Sequence, residues 1–355
     1  MNDENGSGGS PRQLPLPGME ARRGLPFHVL TRPLVLLVIV GGATYFLLPQ
    51  LATFERSTEV VRSLAWWAFG LAFLAQCGCY LAHAYALSAM LALFGERLSL
   101  ARRLALTMAP YSLSLVWGGQ LTSTGASVRW LTRAGVPPEA ALVTGVLPAV
   151  VNLLSVVVVA TIGITYLLAK QEVSRTVIFT LVVPVLIAIV LVALVGLLLR
   201  HQGIVVAGAH RTASFWARLR RRPYDPAVTD AAVQNLFDAG KLLMGGGWAK
   251  ALGGDALSVF FDVLTLYCVF LAAGYHIDPG VLIAGYGLPI LAGKLSVLPG
   301  GVGVIEGGMV AIYAAIGVPA GIVVVTILGY RLLSFWLPVL IGFALAVWLD
   351  RTLSP

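Results

Sequence analysis

TVIFTLVVPVLIAIVLVALVGLLL, residues Thr176–Leu199, contains no ionisable side chain. A run of this length exceeds the roughly 20 apolar residues that a helix needs to cross the hydrocarbon core, and it keeps no polar face for water. Windows of the same kind recur at 33–54, 64–94, 140–169, 251–273 and 319–349. Hydrophobic residues make up 58% of the 355 positions and charged residues 11%, a balance that suits lipid as the solvent. The expected fold is an all-α polytopic membrane protein of about six spanning helices. Residues 1–32, rich in Gly, Ser, Pro and Arg, read as a disordered cytoplasmic tail, and 33–350 as a single transmembrane domain.

Orientation follows from the basic residues. With the N-terminus in the cytoplasm, 18 of the 24 Lys and Arg lie inside, Arg56, Arg62, Lys170 and Arg175 lie outside, and Lys294 and Arg331 fall within the membrane. The positive-inside rule then places both termini in the cytoplasm of a cell whose inner (plasma) membrane holds the chain. The net charge of +8 is concentrated beside a span, in the loop Arg200–Arg222 that opens a basic cytoplasmic linker over 200–250. Anionic phospholipid headgroups are its expected partner; nucleic acid is not. The loop could equally do no more than fix topology. The three cysteines, Cys77, Cys79 and Cys268, have no His or Cys at metal-ligand spacing, so neither a metal nor another cofactor is expected.

Two apolar stretches, 104–131 and 280–316, are broken by glycines and do not read as ordinary spans. Displaced by 182 residues, Ser114–Thr144 aligns without gaps on Ser296–Thr326 with ten of 31 positions identical. The matches include Gly118-Gly119 with Gly300-Gly301 and Gly135-Val136-Pro137 with Gly317-Val318-Pro319. Three predicted spans separate the copies, and an odd number of crossings turns the second upside down. The expectation is an inverted repeat, with halves at about 104–169 and 280–349, each contributing a re-entrant helical hairpin. Gly-interrupted segments at matching places in two halves are the sequence pointer to a transporter's substrate site. Close helix packing is the plainer explanation for isolated glycines such as Gly41 and Gly70. Four breakers among Pro299-Gly300-Gly301-Val302-Gly303 exceed what packing requires.

LPGGVGVIEGG (Leu298–Gly308) and GYRLLSFWLPVLIG (Gly329–Gly342) resemble the membrane domain of lysylphosphatidylglycerol synthases and the flippase-like proteins that share it. The likeness runs from about residue 35 to 349. It implies a lipid-translocating domain with two re-entrant hairpins, and, since the chain ends at Pro355, a stand-alone member without the aminoacyl-transferase domain. The first half departs from that family's usual pattern at STGASVR, where Arg129 is retained.

A charge at bilayer depth costs about 3 kcal/mol or more, so intramembrane ionisable residues are functional candidates. A substrate site is expected from Arg129, Lys294, Pro299, Gly300, Gly301, Gly303, Glu306 and Arg331. A buried Glu306–Arg331 pair could be structural alone, or Arg331, Lys294 and Arg129 could form an electropositive pocket for a phosphate, helped by half-helix N-termini. Asp255 with Asp262, and Gln76 with His83, are each seven apart on one helix face and could form a polar track or coupling site. For His83 a hydrogen-bonded core histidine is the blander alternative. No catalytic residue is expected, because no recognisable phosphate loop, zinc or hydrolase motif occurs. The function read from the chain is movement of a phosphate-bearing amphipath, phospholipid or polyprenyl-linked, between leaflets. The alternative is an intramembrane enzyme, or subunit of one, acting on lipid-linked substrates near Asp225, Asp230 and Asp238. Either is compatible with a homo-oligomer.

Overall fold

The computed structural model describes residues 60–117, 120–170, 202–219, 248–296 and 298–353, with scattered positions between 186 and 237. Their regular structure is all helical: α1 (Trp66–Ala92), α2 (Leu100–Trp117), α3 (Gln120–Arg133), α4 (Pro138–Lys170), α5 (Gln202–Leu219), α6 (Trp248–Ala272), α7 (Pro279–Leu295), α8 (Val304–Ala315), α9 (Ala320–Arg331) and α10 (Leu337–Thr352). A π-helical turn, Leu332–Trp336, joins the last two. All of these belong to the unit Tyr45–Pro355; the other unit, Met1–Thr44, lies outside the described residues.

Among the described residues, four stretches are long and apolar enough to cross a membrane: Trp66–Ala92, Ala140–Lys170, Ala249–Ala272 and Ala320–Thr352. Each falls on a predicted window. The remaining windows, 33–54 and 176–199, lie outside the described residues, save for four helical positions in the second.

Helices in lipid gain little from the hydrophobic effect and associate by close van der Waals packing, which favours small residues. Helix α1 follows that rule with a buried stripe of Ala68, Ala72, Ala75, Cys79, Ala82 and Ala86, spaced alternately by four and three residues. Helix α6 lies against this stripe in the opposite direction. The Ala65 N–H donates to the Ala272 carbonyl at 2.9 Å, at one end of the pair. At the other end Gly254 sits so close to Ala86 that an added Cβ would come within 2.9 Å of its methyl group.

The two halves share more than the 31 aligned residues. Helices α3 and α8 end at Arg133 and Ala315, and α4 and the α9–α10 stretch begin at Pro138 and Ala320. Every one of these bounds is displaced by 182. The turns before the long helices are the same turn. Gly135 and Gly317 adopt φ of 91° and 85°. The Val136 N–H donates to the Leu131 carbonyl at 3.1 Å, and the Val318 N–H to the Tyr313 carbonyl at 3.0 Å. This is a glycine-closed helix C-terminus, made twice.

Packing repeats the exchange. Helix α7 lies on α4, the long helix of the first half, and α2 lies on α10, the long helix of the second. Both contacts need a glycine: a Cβ on Gly163 would stand 2.5 Å from the Ala284 Cα, and one on Gly342 would stand 2.7 Å from the Met108 carbonyl oxygen. Within the second glycine-rich stretch, α7 and α8 run antiparallel, with Gly293 against Ile305, Pro289 against Gly308 and Gly285 against Tyr313. Asp278 starts α7, accepting from the Gly280 and Val281 amides at 2.8 and 3.2 Å, with Pro279 in the first turn.

Candidate functional site

Between α7 and α8 the chain turns through Pro299–Gly301, and Gly300, Gly301 and Gly303 all take positive φ, at 64°, 63° and 88°. Side chains are excluded here for two reasons. The left-handed backbone disfavours them. Space does so too, since a Cβ on Gly300 would lie 2.5 Å from the Phe335 ring and one on Gly301 would lie 2.9 Å from the Gly293 Cα.

The turn is held by charge. Glu306, in the first turn of α8, accepts from the Gly303 N–H through Oε2 at 2.7 Å, which fills one of the amide positions that every helix start leaves open. Its Oε1 accepts from the Arg331 Nε. Arg331 also donates from Nη2 to the Gly300 carbonyl at 3.3 Å and lays its guanidinium 4.2 Å from the Phe335 ring centroid. Glu306 and Arg331 are each 5% exposed, so the pair neutralises two charges that neither lipid nor water could solvate. The π turn that follows Arg331 carries Phe335 to its guanidinium; such insertions recur at functional sites.

A cavity of about 200 Å³ opens beside this turn, with Lys294, Gly300, Gly301, Arg331 and Asp262 among its lining. Asp262 accepts through Oδ2 from the Tyr286 and Tyr330 hydroxyls at 2.8 and 2.9 Å, two neutral donors that stabilise a carboxylate without cancelling it. Lys294 differs from the other charges. It is exposed and lines the cavity, and it has no hydrogen bond or ion pair among the described residues. Asp255 and Asp262 act on it only through space.

A second cavity of about 100 Å³ adjoins the first, and His83, Tyr111 and Asn152 belong to the walls of both. Its lining draws on α2, α3 and α4 and on Asp255 of α6. The Asn152 Nδ2 donates to the Asp255 Oδ1 at 3.1 Å, while the Asp255 Oδ2 is buried without a partner among the described residues.

The expected site residues are therefore divided. Lys294, Gly300, Gly301 and Arg331 line the larger cavity; Glu306 and Gly303 brace its turn, in which Pro299 stands. Gln76, His83 and Asp262 also line it, whereas Asp255 faces the smaller cavity. Arg129 is not brought to either. It is exposed and lies 3.5 Å from Asp350, which also receives Arg133 at 3.1 Å and the Trp130 indole N–H at 3.0 Å. Arg211 and Arg218 of the basic loop sit on α5, while Arg200 and Arg220–Arg222 lie outside the described residues. Of the loosely spaced acids, Asp230 pairs with His210 at 2.7 Å and neither residue lines the two cavities; Asp238 lies outside the described residues. Tyr286, Tyr330 and Asn152 are not among the site residues that the sequence predicts. Asn152 carried a usable signal as the only Asn or Gln between 140 and 169, and Tyr330 lies within the family-like stretch. Among the described residues no three His, Cys, Asp or Glu side chains gather as metal ligands would.

A polar cavity whose ammonium has no partner among the described residues, walled by apolar helices, is suited to the polar end of an amphipath. Comparison with known proteins finds membrane proteins. A UPF0104 membrane protein of Methanothermobacter thermautotrophicus is 31% identical over 155 residues, 44% of this chain and 40% of its own length. One from Methanocaldococcus jannaschii is 23% identical over 167 residues, 46% of this chain and 50% of its own, and one from Pyrococcus horikoshii is 35% identical over 81 residues, 23% and 24% of the two. The chain thus spans half or less of the length of these relatives. The model of the lysylphosphatidylglycerol synthase TM region matches residues 34–342, and this membrane protein belongs to that family.

Proposed function

We propose that the protein moves a phosphate-bearing amphipath between the leaflets of the inner membrane, as a flippase or transporter. The observation that carries this reading is Lys294, an ammonium with no partner among the described residues, in a cavity built at the glycine turn of a hairpin too short to span. Helix α7 has 17 residues and α8 has 12, hence lengths of about 25 and 18 Å against a hydrocarbon core of about 30 Å. Paired antiparallel, they enter and return as a re-entrant hairpin, and the glycine turn comes to rest at membrane depth. Irregular backbone is tolerated there where it lines a cavity. The displacement of helix bounds by 182 residues, together with the antiparallel course of α1 and α6, supports an inverted repeat with α2–α3 as the second hairpin.

Lys294 then anchors the phosphate, and Arg331, whose Nε and Nη2 serve the turn, offers its remaining N–H groups to the same oxygens. The acyl or polyprenyl chain stays in lipid. Both termini face the cytoplasm, and the basic residues of the 200–222 segment bind anionic headgroups on that side. Reconstitution in liposomes with labelled anionic, zwitterionic and polyprenyl-phosphate lipids tests the reading. Faster leaflet exchange of phosphate-bearing lipids than in protein-free vesicles is expected, and exchange no faster with any of them would overturn it.

A further inference from the structure

The smaller cavity offers its occupant acceptors. The Thr107 hydroxyl donates to the Leu104 carbonyl at 2.8 Å, Ser127 to Ser123 at 3.0 Å and Thr144 to Ala140 at 2.7 Å. Each hydroxyl proton is thus committed to its own helix, and what remains for the cavity these residues line is oxygen lone pairs. Asn152 has turned its amide nitrogen to Asp255, which leaves its carbonyl oxygen as a further acceptor. Asp255 itself is 5% exposed, and its Oδ2 has no donor among the described residues. A buried carboxylate oxygen left in that state is costly unless a cation or a proton satisfies it.

The charges around the two cavities lean the same way. Glu306 and Arg331 cancel, Lys294 offsets one of Asp255 and Asp262, and one negative charge is left over. An anionic headgroup on Lys294 would raise the excess to two, in a setting where uncompensated charge is disfavoured. We propose that the Asp255 cavity is a binding site for a small monovalent metal cation, sodium in the first place, filled together with the anionic headgroup at Lys294. Ligation by the carboxylate, amide carbonyl and hydroxyl oxygens named here suits a hard cation. The coupling to transport rests on the reading of Lys294 above; the binding of the cation does not.

The test uses the purified full chain in detergent, with radioactive sodium for equilibrium binding and thermal unfolding followed at constant ionic strength against choline. Saturable sodium binding is expected, with an unfolding midpoint that rises with sodium and not with choline. Asp255→Asn should abolish both, and Thr144→Val, which removes one acceptor, should weaken binding severalfold. Adding an anionic lipid should tighten sodium binding, and sodium should tighten lipid binding by the same factor. Absence of saturable sodium binding to the wild-type chain overturns the proposal, as does undiminished binding by both variants. A midpoint that follows pH, or an ethanolamine headgroup, but not sodium also overturns it, in favour of a proton or a lipid ammonium. Lipid exchange in liposomes is read separately, so a failed exchange with intact sodium binding removes the transport reading alone.

Discussion

Replacing Arg331 by methionine leaves Glu306 as a buried carboxylate whose remaining partner is the Gly303 amide. Removing one member of a buried ion pair typically costs about 3–5 kcal/mol, because the other charge stays behind unsolvated. The substitution also removes the donor to the Gly300 carbonyl, about 1 kcal/mol, and the cation over the Phe335 ring, about 1–2 kcal/mol at a desolvated site. In the double variant, Glu306→Gln with Arg331→Met, no charge is stranded and the glutamine oxygen can still accept from Gly303. Only the last two losses persist, about 2–3 kcal/mol, so the double variant should recover about 3–5 kcal/mol relative to Arg331→Met. Unfolding of the wild type, both single variants and the double variant in mixed micelles measures this cycle. A double variant no more stable than Arg331→Met would refute the reasoning. Liposome exchange on the same four proteins separates bracing from binding: the double variant should be folded and inactive, and one that still moves lipid would remove Arg331 from the anion site.

Other outcomes follow from single positions. Gly342→Leu should separate α10 from α2 and lower stability by several kcal/mol, as overpacking at a backbone contact requires, while Gly70→Leu, with open space around it, should be nearly neutral in thermal unfolding. Asp278 is held below the usual carboxylate range by the Tyr166 hydroxyl first and by the Val281 and Gly280 amides it caps. Its depressed value means that its stabilisation is present above the unfolded carboxylate pKa of about 3.9 and fades as pH falls through the folded one, so Asp278→Ala should destabilise at pH 7 and have less effect at pH 3. A cysteine at Lys170 should react with an impermeant thiol reagent from the periplasmic side and one at Arg221 should not; reversed labelling would contradict the orientation.

What could be read from the residue string divides along the range of the interactions. Spans were legible because apolar length is a local property: the windows at 64–94, 140–169, 251–273 and 319–349 became helices with bounds shifted by a few residues. The Glu306–Arg331 pair could be foreseen because intramembrane charges are few and two opposite ones had little else to join. Asp262 could not be assigned its partners, since Tyr286 and Tyr330 lie 24 and 68 positions away and meet it only once α6, α7 and α9 pack. For the same reason the seven-residue spacing of Asp255 and Asp262 suggested one track, whereas the fold sends the two carboxylates to different cavities. Arg129 qualifies by its charge and as the arginine retained in STGASVR, yet its partner, Asp350, is 221 residues away at the end of α10.

Lys294→Met tests the central claim most directly. The ammonium has no hydrogen bond or ion pair among the described residues and offsets Asp255 and Asp262 only through space, so its removal should cost much less thermal stability than the loss of a paired charge. If the ammonium anchors the phosphate, leaflet exchange of anionic lipid by the variant, measured against the wild type at equal reconstitution, should fall by about tenfold or more, the loss of a charge-assisted bond worth roughly 1.5–3 kcal/mol. Exchange at the wild-type rate by a folded Lys294→Met variant would contradict the account.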